Sequence, residues 1–191
     1  MNVIIYTGPG AVAPSATYNL VALRRLLFPH YAVTPLDTKA LLDQPWSSSC
    51  ALLVFPEGYE SDYTEALGTN GRAEVVKYVK NGGKLLAIGD GVAAACGGER
   101  GLGLYKGGWT EGSEVVKEKS WATVHADGKK FRLKKAGEFL DAEGIDRNTT
   151  EVIGTFVEHG ELGTSGKAER PAVLYITVAN GAVVLASVEL R

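Results

Sequence analysis

The first half of the chain alternates short apolar segments with segments that carry apolar residues at helical spacing. The apolar segments are residues 3–7, 31–36, 51–56 and 84–88. Their lack of regular polar alternation is typical of strands buried on both faces of a sheet.

Three helices are predicted between these strands. Leu20, Leu23 and Leu27 recur at helical spacing, and Ser15 is the predicted N-cap of that helix. Residues 38–42 predict a short helix. Residues 71–80 predict an amphipathic helix with valines on its inner face, which ends before Gly82 and Gly83.

The pattern changes in the second half, where short strands follow one another. These are residues 114–118, 122–125, 130–133, 152–157, 172–178 and 182–188, with predicted hairpin turns at Asp127-Gly128 and Asn180-Gly181. Residues 159–169 are polar and predict an exposed loop. We therefore expect one α/β domain over residues 1–191. It should contain a mostly parallel sheet with helices on both faces, and an added antiparallel meander and hairpin in the C-terminal half.

Composition narrows the class of protein. The 191 residues are 45% apolar and 22% charged, with a formal charge of −2 and a pI near 6.0. This balance fits a globular domain and argues against nucleic acid as a partner. The sequence shows neither a signal peptide nor a membrane helix, so we expect a cytoplasmic protein that does not bind membranes. Cys50 and Cys96 are expected to be free thiols.

Histidine and cysteine spacing does not predict a metal site. The histidines, His30, His125 and His159, are scattered along the chain. Neither a metal nor another cofactor is therefore expected. The sequence does not fix the oligomeric state, and a homodimer is among the states it allows.

Glycine is enriched after the predicted strands. The chain has 24 glycines, eight of which fall between Gly89 and Gly108. Ligands of open α/β sheets bind beyond the carboxyl ends of the strands. The predicted ligand-binding crevice therefore consists of the residues that follow three such ends: Gly8, Gly10, Glu57, Gly58, Tyr59, Gly89, Asp90 and Gly91.

Gly89-Asp90-Gly91 has the form of a nucleophile elbow, because a buried strand runs through Gly-x-Gly into a helix. Such a turn exposes one residue at a helix N-terminus, where a developing negative charge is favoured. That residue is normally Ser or Cys.

Several separated segments resemble the amino-terminal domain family of eukaryotic biotin-protein ligases, within the class I glutamine amidotransferase-like superfamily. They are residues 2–10, 23–27, 29–33, 49–56 and 79–86. The resemblance continues to the closing hairpin and implies a flavodoxin-like, doubly wound sheet.

The chain departs from this family where catalysis would occur. Gly89 stands at the position of the superfamily's cysteine nucleophile, and residues 189–191 replace the family's His-Pro-Glu. Glu57 replaces the first glycine of the family's Phe-Pro-Gly-Gly oxyanion loop. Since glutamine hydrolysis needs a thiolate, a base and an oxyanion hole together, we expect no glutaminase activity. The chain is also too short to contain a biotin ligase catalytic domain, so we expect that it is not itself a ligase.

Two functions remain open for the crevice. It binds a small polar metabolite or a partner protein, or it runs a different chemistry. In the second case Asp90 and Glu57 act as acid and base in a lyase, isomerase or cyclase reaction on a small carbonyl compound. A structural alternative for the same residues is that Asp90 caps the helix near Val92 and that Glu57 caps the following helix or turn.

Overall fold

The computed structural model describes residues 1–96, 101–105, 109–110, 121–135, 139–140, 146–157 and 171–189. The strands are β1 (Asn2–Tyr6), β2 (Ala32–Leu36), β3 (Cys50–Phe55), β4 (Lys84–Ile88), β5 (Trp109–Thr110), β6 (Trp121–Ala126), β7 (Lys129–Lys135), β8 (Phe139–Leu140), β9 (Thr150–Val157), β10 (Pro171–Val178), β11 (Gly181–Ala186) and β12 (Val188–Glu189). The helices are α1 (Ala13–Leu27), α2 (Thr38–Asp43), α3 (Glu60–Lys80) and α4 (Asp90–Cys96), with a 3₁₀ turn at Trp46–Ser48.

Among the described residues, ten strands form one mixed sheet in the order β12-β7-β6-β9-β10-β11-β4-β3-β1-β2. The segment β11-β4-β3-β1-β2 is parallel. The remaining pairings are antiparallel, and β5 and β8 form a separate pair. The α/β class is therefore confirmed, and the predicted hairpin strands continue the parallel half as one sheet.

Successive side chains of the parallel strands point to opposite faces of the sheet, and each face carries its own apolar layer. Val3, Ile5 and Ile88 lie in one layer, together with Leu23 of α1. The opposite layer holds the intervening residues of β1, β3 and β4 together with apolar residues of α2, α3 and α4. Both faces of the parallel half are thus covered by helices, which explains why its strands are apolar throughout.

The start of α1 differs from the sequence prediction. Val12, rather than Ser15, is the N-cap, and it makes no side-chain capping bond. Pro14 lies in the first turn, where backbone N–H groups have no acceptor within the helix. Its lack of an N–H therefore costs no hydrogen bond there, and its fixed φ suits a helix. Ser15 is instead a buried residue inside the helix.

Helix α3 begins eleven residues before the predicted segment, at Glu60. Gly68, with φ 56° and ψ −168°, interrupts the helix. The helical segment before Gly68, from residue 60 to 67, was not predicted from the sequence pattern. Tyr63 and Leu67 bury that segment against the core.

The two predicted hairpins form, with one shift in position. Asp127 (φ 49°) and Gly128 (φ 68°) are the turn between β6 and β7. At the second hairpin Val178 pairs with Gly181, so Ala179-Asn180 is the turn rather than Asn180-Gly181. The predicted strand at residues 114–118 and the predicted loop at residues 159–169 lie outside the described residues. No helix within the described ranges is long and apolar enough to cross a membrane.

Candidate functional site

The loops that follow β1 and β3 are joined by backbone hydrogen bonds at one edge of the sheet. Val12 N donates to Glu57 O at 2.9 Å, and Tyr59 N donates to Gly10 O at 2.8 Å. Ala11 and Gly58 also form an antiparallel bridge. The two loops therefore form one layer over the carboxyl ends of their strands.

Close backbone approach explains the glycines of these loops. A Cβ on Gly58 would overlap the carbonyl oxygen of Gly10. Gly10 has φ +96°, and a Cβ there would lie 2.5 Å from the backbone nitrogen of Tyr63. Glycine at both positions is thus required by packing.

Three aromatic rings support this layer from below. The ring centroids of Tyr6, Phe55 and Tyr63 lie 5.3–5.4 Å apart, and all three side chains are fully buried. The Tyr6 hydroxyl donates to Pro9 O at 2.9 Å and lies 2.7 Å from Thr38 Oγ1, while Tyr63 donates to Pro56 O at 2.7 Å. Burial raises the pKa of Tyr6, although the Thr38 hydrogen bond opposes this shift, so the phenol remains a neutral donor.

Gly89 is the single residue between β4 and α4, and it has φ 57°. Its N–H donates to Ala186 O on the neighbouring strand at 2.9 Å, and its carbonyl accepts from Val92 N at 2.9 Å. This sharp strand-to-helix turn, in a left-handed conformation, has the geometry of a nucleophile elbow. The residue at its corner has no side chain with which to attack a substrate.

The α4 turn lies directly against the end of β3. A Cβ on Gly91 would be 2.8 Å from Pro56 O and 2.9 Å from Phe55 O. Because Glu57 follows Pro56 and Asp90 precedes Gly91, the loop after β3 and the start of α4, which carry the two predicted carboxylates, have adjacent backbones.

The starts of α3 and α4 bear on the capping alternative for these two residues. Glu57 is half-buried and makes contacts of its own, but the N-cap of α3 is Tyr59, which has no side-chain capping bond. Asp90 is the first residue of α4, so Gly89 precedes the helix. The side chain of Asp90 lies outside the described part of the structure. The acid and base roles of Asp90 and Glu57 stay a prediction.

Neither cysteine forms a disulfide within the described residues, and both are buried. Cys96 ends α4 and packs in the main core. Cys50 begins β3, at the opposite edge of the sheet from Gly89, and burial raises the pKa of its thiol. Neither thiol therefore takes the place of a nucleophile at the elbow.

Sequence reasoning missed two buried polar residues. Asn19 Oδ1, in the first half of α1, and Ser187 Oγ, directly after β11, are buried with no hydrogen-bond partner. The only sequence signal is a polar residue within an otherwise apolar stretch, which does not reveal whether the side chain finds a partner.

A cleft of about 350 Å³ lies at the opposite edge of the sheet. Its floor includes Cys50, Tyr78 and Gly83, and its rim includes Glu74 and Lys77, whose charged groups are 3.6 Å apart. The Tyr78 hydroxyl is bonded to the backbone, accepting from Lys84 N at 3.1 Å. This cleft is remote from the residues that the sequence predicted. In the described portion of the chain, no three His, Cys, Asp or Glu residues are grouped as metal ligands.

The fold is similar to that of several solved structures. A putative ThuA-like protein from Bacteroides uniformis superposes with a TM-score of 0.63 at 9% identity, with 99% of this chain and 82% of that chain covered. A cytoplasmic protein from Salmonella typhimurium gives a TM-score of 0.57 at 13% identity, with 100% and 89% covered. Gan42B, a GH42 β-galactosidase from G. stearothermophilus, gives 0.61 at 17% identity, with 100% and 28% covered. At these identities the likeness concerns the fold alone.

The sequence is also similar to that of a curated protein. The biotin–protein ligase of Schizosaccharomyces pombe is 33% identical over 88 residues, which are 46% of this chain and 14% of the ligase. The chain thus spans a small part of that relative. The model of the family "Biotin-protein ligase, N terminal" matches residues 1–98. With β1 to β4 and the glycine-cornered elbow inside that match, the chain belongs to the biotin-protein ligase N-terminal domain family.

Proposed function

We propose that this protein is a binding module of its family, without glutaminase activity, that takes a small polar metabolite at the carboxyl ends of β1, β3 and β4. We interpret the order β2-β1-β3-β4-β11 as a flavodoxin-like core, in which ligands bind at this edge. The observation that carries the proposal is Gly89, which stands at the corner of the elbow with φ 57° and without a side chain.

Loss of glutaminase activity follows from the chemistry that this turn lacks. Cysteine-dependent hydrolysis needs a thiolate at the corner and a base to activate it. Cys50 and Cys96 are buried elsewhere, and the residues from Ser187 to the last residue given, Arg191, include no histidine. Among the described residues, the elbow therefore has neither the thiol nor the imidazole that cysteine-dependent hydrolysis of glutamine uses.

Binding is the better supported of the two open functions because the loops are rigidly held. Backbone hydrogen bonds and close glycine contacts fix the loops after β1 and β3 over an aromatic floor. A preorganised polar edge binds a small molecule with little ordering cost. A partner protein on this surface is the other outcome that the experiment below separates.

The alternative enzyme function rests on the half-buried Glu57 and on the adjacent loop that carries Asp90. Two carboxylates in different environments can divide the roles of acid and base in a proton transfer. This function requires turnover of the bound compound, which simple binding does not.

The test combines a metabolite screen by thermal shift with an assay of ammonia release from glutamine. We expect at least one small polar metabolite to raise the Tm, Glu57→Gln to reduce that shift, and glutamine to stay intact. Glu74→Gln, a carboxylate at the opposite edge, is the matched control and should keep the shift.

Each result separates the functions. Turnover of a hit compound that is lost in Asp90→Asn would establish the enzyme alternative. A screen without hits, together with a protein partner whose binding is lost in Glu57→Gln, would assign the edge to protein binding. Ammonia release from glutamine by the purified chain would contradict the proposal.

A further inference from the structure

The side of α1 that points away from the sheet is largely apolar. The buried residues of this helix are Ser15, Ala16, Asn19 and Leu23. The opposite side carries exposed residues at helical spacing, which we call the outer stripe: Pro14, Tyr18, Val21 and Arg25. A surface helix normally directs polar and charged side chains to the solvent. Because Tyr18 is 41% and Val21 is 42% exposed, the outer stripe has the character of a contact surface instead.

The face of the sheet that α1 covers becomes more exposed with distance from the helix. Strand pairing places one row of residues side by side on β1, β3, β4, β11 and β10: Ile5, Val54, Leu86, Val184 and Tyr175. Ile5 and Val54 are fully buried. Leu86 and Val184 are half-buried, and Tyr175 is 38% exposed. Among the described helices, only α1 contributes to the apolar layer on this face, so Leu86, Val184 and Tyr175, the outer row, lie beyond its cover.

The outer stripe and the outer row complement each other in shape. A helix that packs on a sheet is about 10 Å thick, so the outer row is the floor of a step beside α1. A second helix with an apolar outer side fits this step. Since each copy of the chain has one such helix and one such step, two copies related by a two-fold axis along the strands fill both steps at once.

The two surfaces also carry charges of opposite sign. The charged residues of α1 are Arg24 and Arg25, and the helix contains no acidic residue. On the sheet, Tyr175 is paired with the exposed Glu151 of β9, which continues the outer row. Neither Arg25 nor Glu151 forms a salt bridge with another described residue. A second copy therefore brings an unpaired cation to the surface that ends in an unpaired carboxylate.

We propose that a second copy of the chain covers this face in a symmetric dimer, in which the outer stripe of each copy packs on the outer row of the other. Helix α1 has 15 residues, so it is about 22 Å long and about 10 Å wide. Two such contacts remove about 1,000 Å² of accessible surface, which is the area that a specific interface needs. The contact lies on a face of the sheet and leaves the carboxyl ends of the strands open, so the dimer goes beyond the proposed metabolite binding and is independent of it.

Analytical ultracentrifugation of the full chain tests the dimer. At about 50 µM we expect the wild type to sediment with about twice the 20.2 kDa mass of one chain. Val21→Lys in the outer stripe and Tyr175→Glu in the outer row should each weaken the dimer at least about 100-fold, because each buries a charge against apolar side chains. Since both positions are exposed in a single copy, both variants should keep the circular dichroism spectrum of the wild type.

A mixture of the two variants is a second, independent readout. In a dimer of Val21→Lys with Tyr175→Glu, the new ammonium group meets the new carboxylate in one contact, and the other contact is native. The equimolar mixture should therefore dimerise although neither variant does so alone. Leu42→Glu is the matched control, since Leu42 is a 45% exposed residue of α2, outside both surfaces. It should dimerise like the wild type.

Several results would overturn the inference. A wild type that stays monomeric at about 200 µM would reject the dimer. A dimer that persists in both single variants, or that is lost equally in Leu42→Glu, would place any interface elsewhere. Failure of the mixture to dimerise would reject the packing of the outer stripe on the outer row. A monomeric wild type that co-sediments with phosphatidylserine vesicles would assign this face to a membrane surface instead.

Discussion

Gly58 packs so closely against the carbonyl oxygen of Gly10 that a Cβ at position 58 would overlap that oxygen. The contact joins the loops after β1 and β3, which also share two backbone hydrogen bonds. The shape of the candidate binding edge thus depends on two residues without side chains.

Replacement of Gly58 by alanine should lower the free energy of unfolding by at least about 2 kcal/mol, because backbone atoms must move to admit the methyl group. Urea denaturation measures the change. Gly103→Ala is the control: the space around Gly103 is open and only its φ of +61° is unfavourable, so a loss of about 1 kcal/mol is expected. Equal losses in the two variants would contradict the role of the Gly58 contact.

Tyr6→Phe should destabilise the protein by about 1 kcal/mol. The substitution keeps the ring contacts with Phe55 and Tyr63 but removes the bonds from the hydroxyl to Pro9 O and Thr38 Oγ1. A double-mutant cycle with Thr38→Val measures the share that belongs to Thr38. If the two losses simply add, the hydroxyl pair contributes nothing to stability.

Gly89→Cys should restore a thiol at the corner of the elbow without restoring glutamine hydrolysis. Residues 189–191, which stand in place of the family's His-Pro-Glu, include no histidine to serve as its base. The variant should also be less stable by about 1–2 kcal/mol, since φ 57° is unfavourable for a residue with a Cβ. Chemical denaturation and an ammonia-release assay measure the two effects. Ammonia release above that of Gly89→Ala would contradict this prediction.

Stability should fall at alkaline pH. Burial raises the pKa values of Cys50 and Tyr78 in the folded protein, and a hydrogen bond with Cys50 adds to the shift of Tyr78. The unfolded chain therefore releases these protons first, at about pH 8.5 for the thiol and about pH 10 for the phenol. Above those values the free energy of unfolding decreases with pH, because the unfolded state binds fewer protons.

Urea denaturation between pH 7 and pH 10.5 measures this dependence. The decrease above pH 9 should be shallower in Cys50→Ala and in Tyr78→Phe than in wild type. A stability that is constant over this range would contradict the assigned shifts.

Local sequence patterns predicted most elements of the parallel half correctly, because a short strand or helix is specified by the residues within it and directly beside it. The segment 84–88 matches β4, and the strand-Gly-x-Gly pattern predicted an elbow at residues 89–91. The resemblance to the family then assigned the nucleophile position to Gly89. The prediction of Ser15 as the N-cap was wrong. Pro14 favours the first turn of a helix, so the helix begins at Ala13, before the serine.

Long-range relationships could not be read in this way. The pairing of β11 with β4 joins segments about a hundred residues apart, and neither segment contains a sequence pattern that identifies its pairing partner. The unpaired state of Ser187 depends on that pairing and on burial from other elements. The sequence therefore located the elbow after β4 but not the strand that pairs with β4 beside it.

The pairing of β11 with β4 has a consequence for biosynthesis. The family match ends at residue 98, yet in the described part of the chain the side of β4 that faces away from β3 pairs with residues 182–186. Until those residues leave the ribosome, an apolar strand exposes unpaired backbone groups, which is a template for association with other chains. The nascent protein should thus depend on chaperones until the β10–β11 hairpin closes, and any dissection of the domain must retain that hairpin.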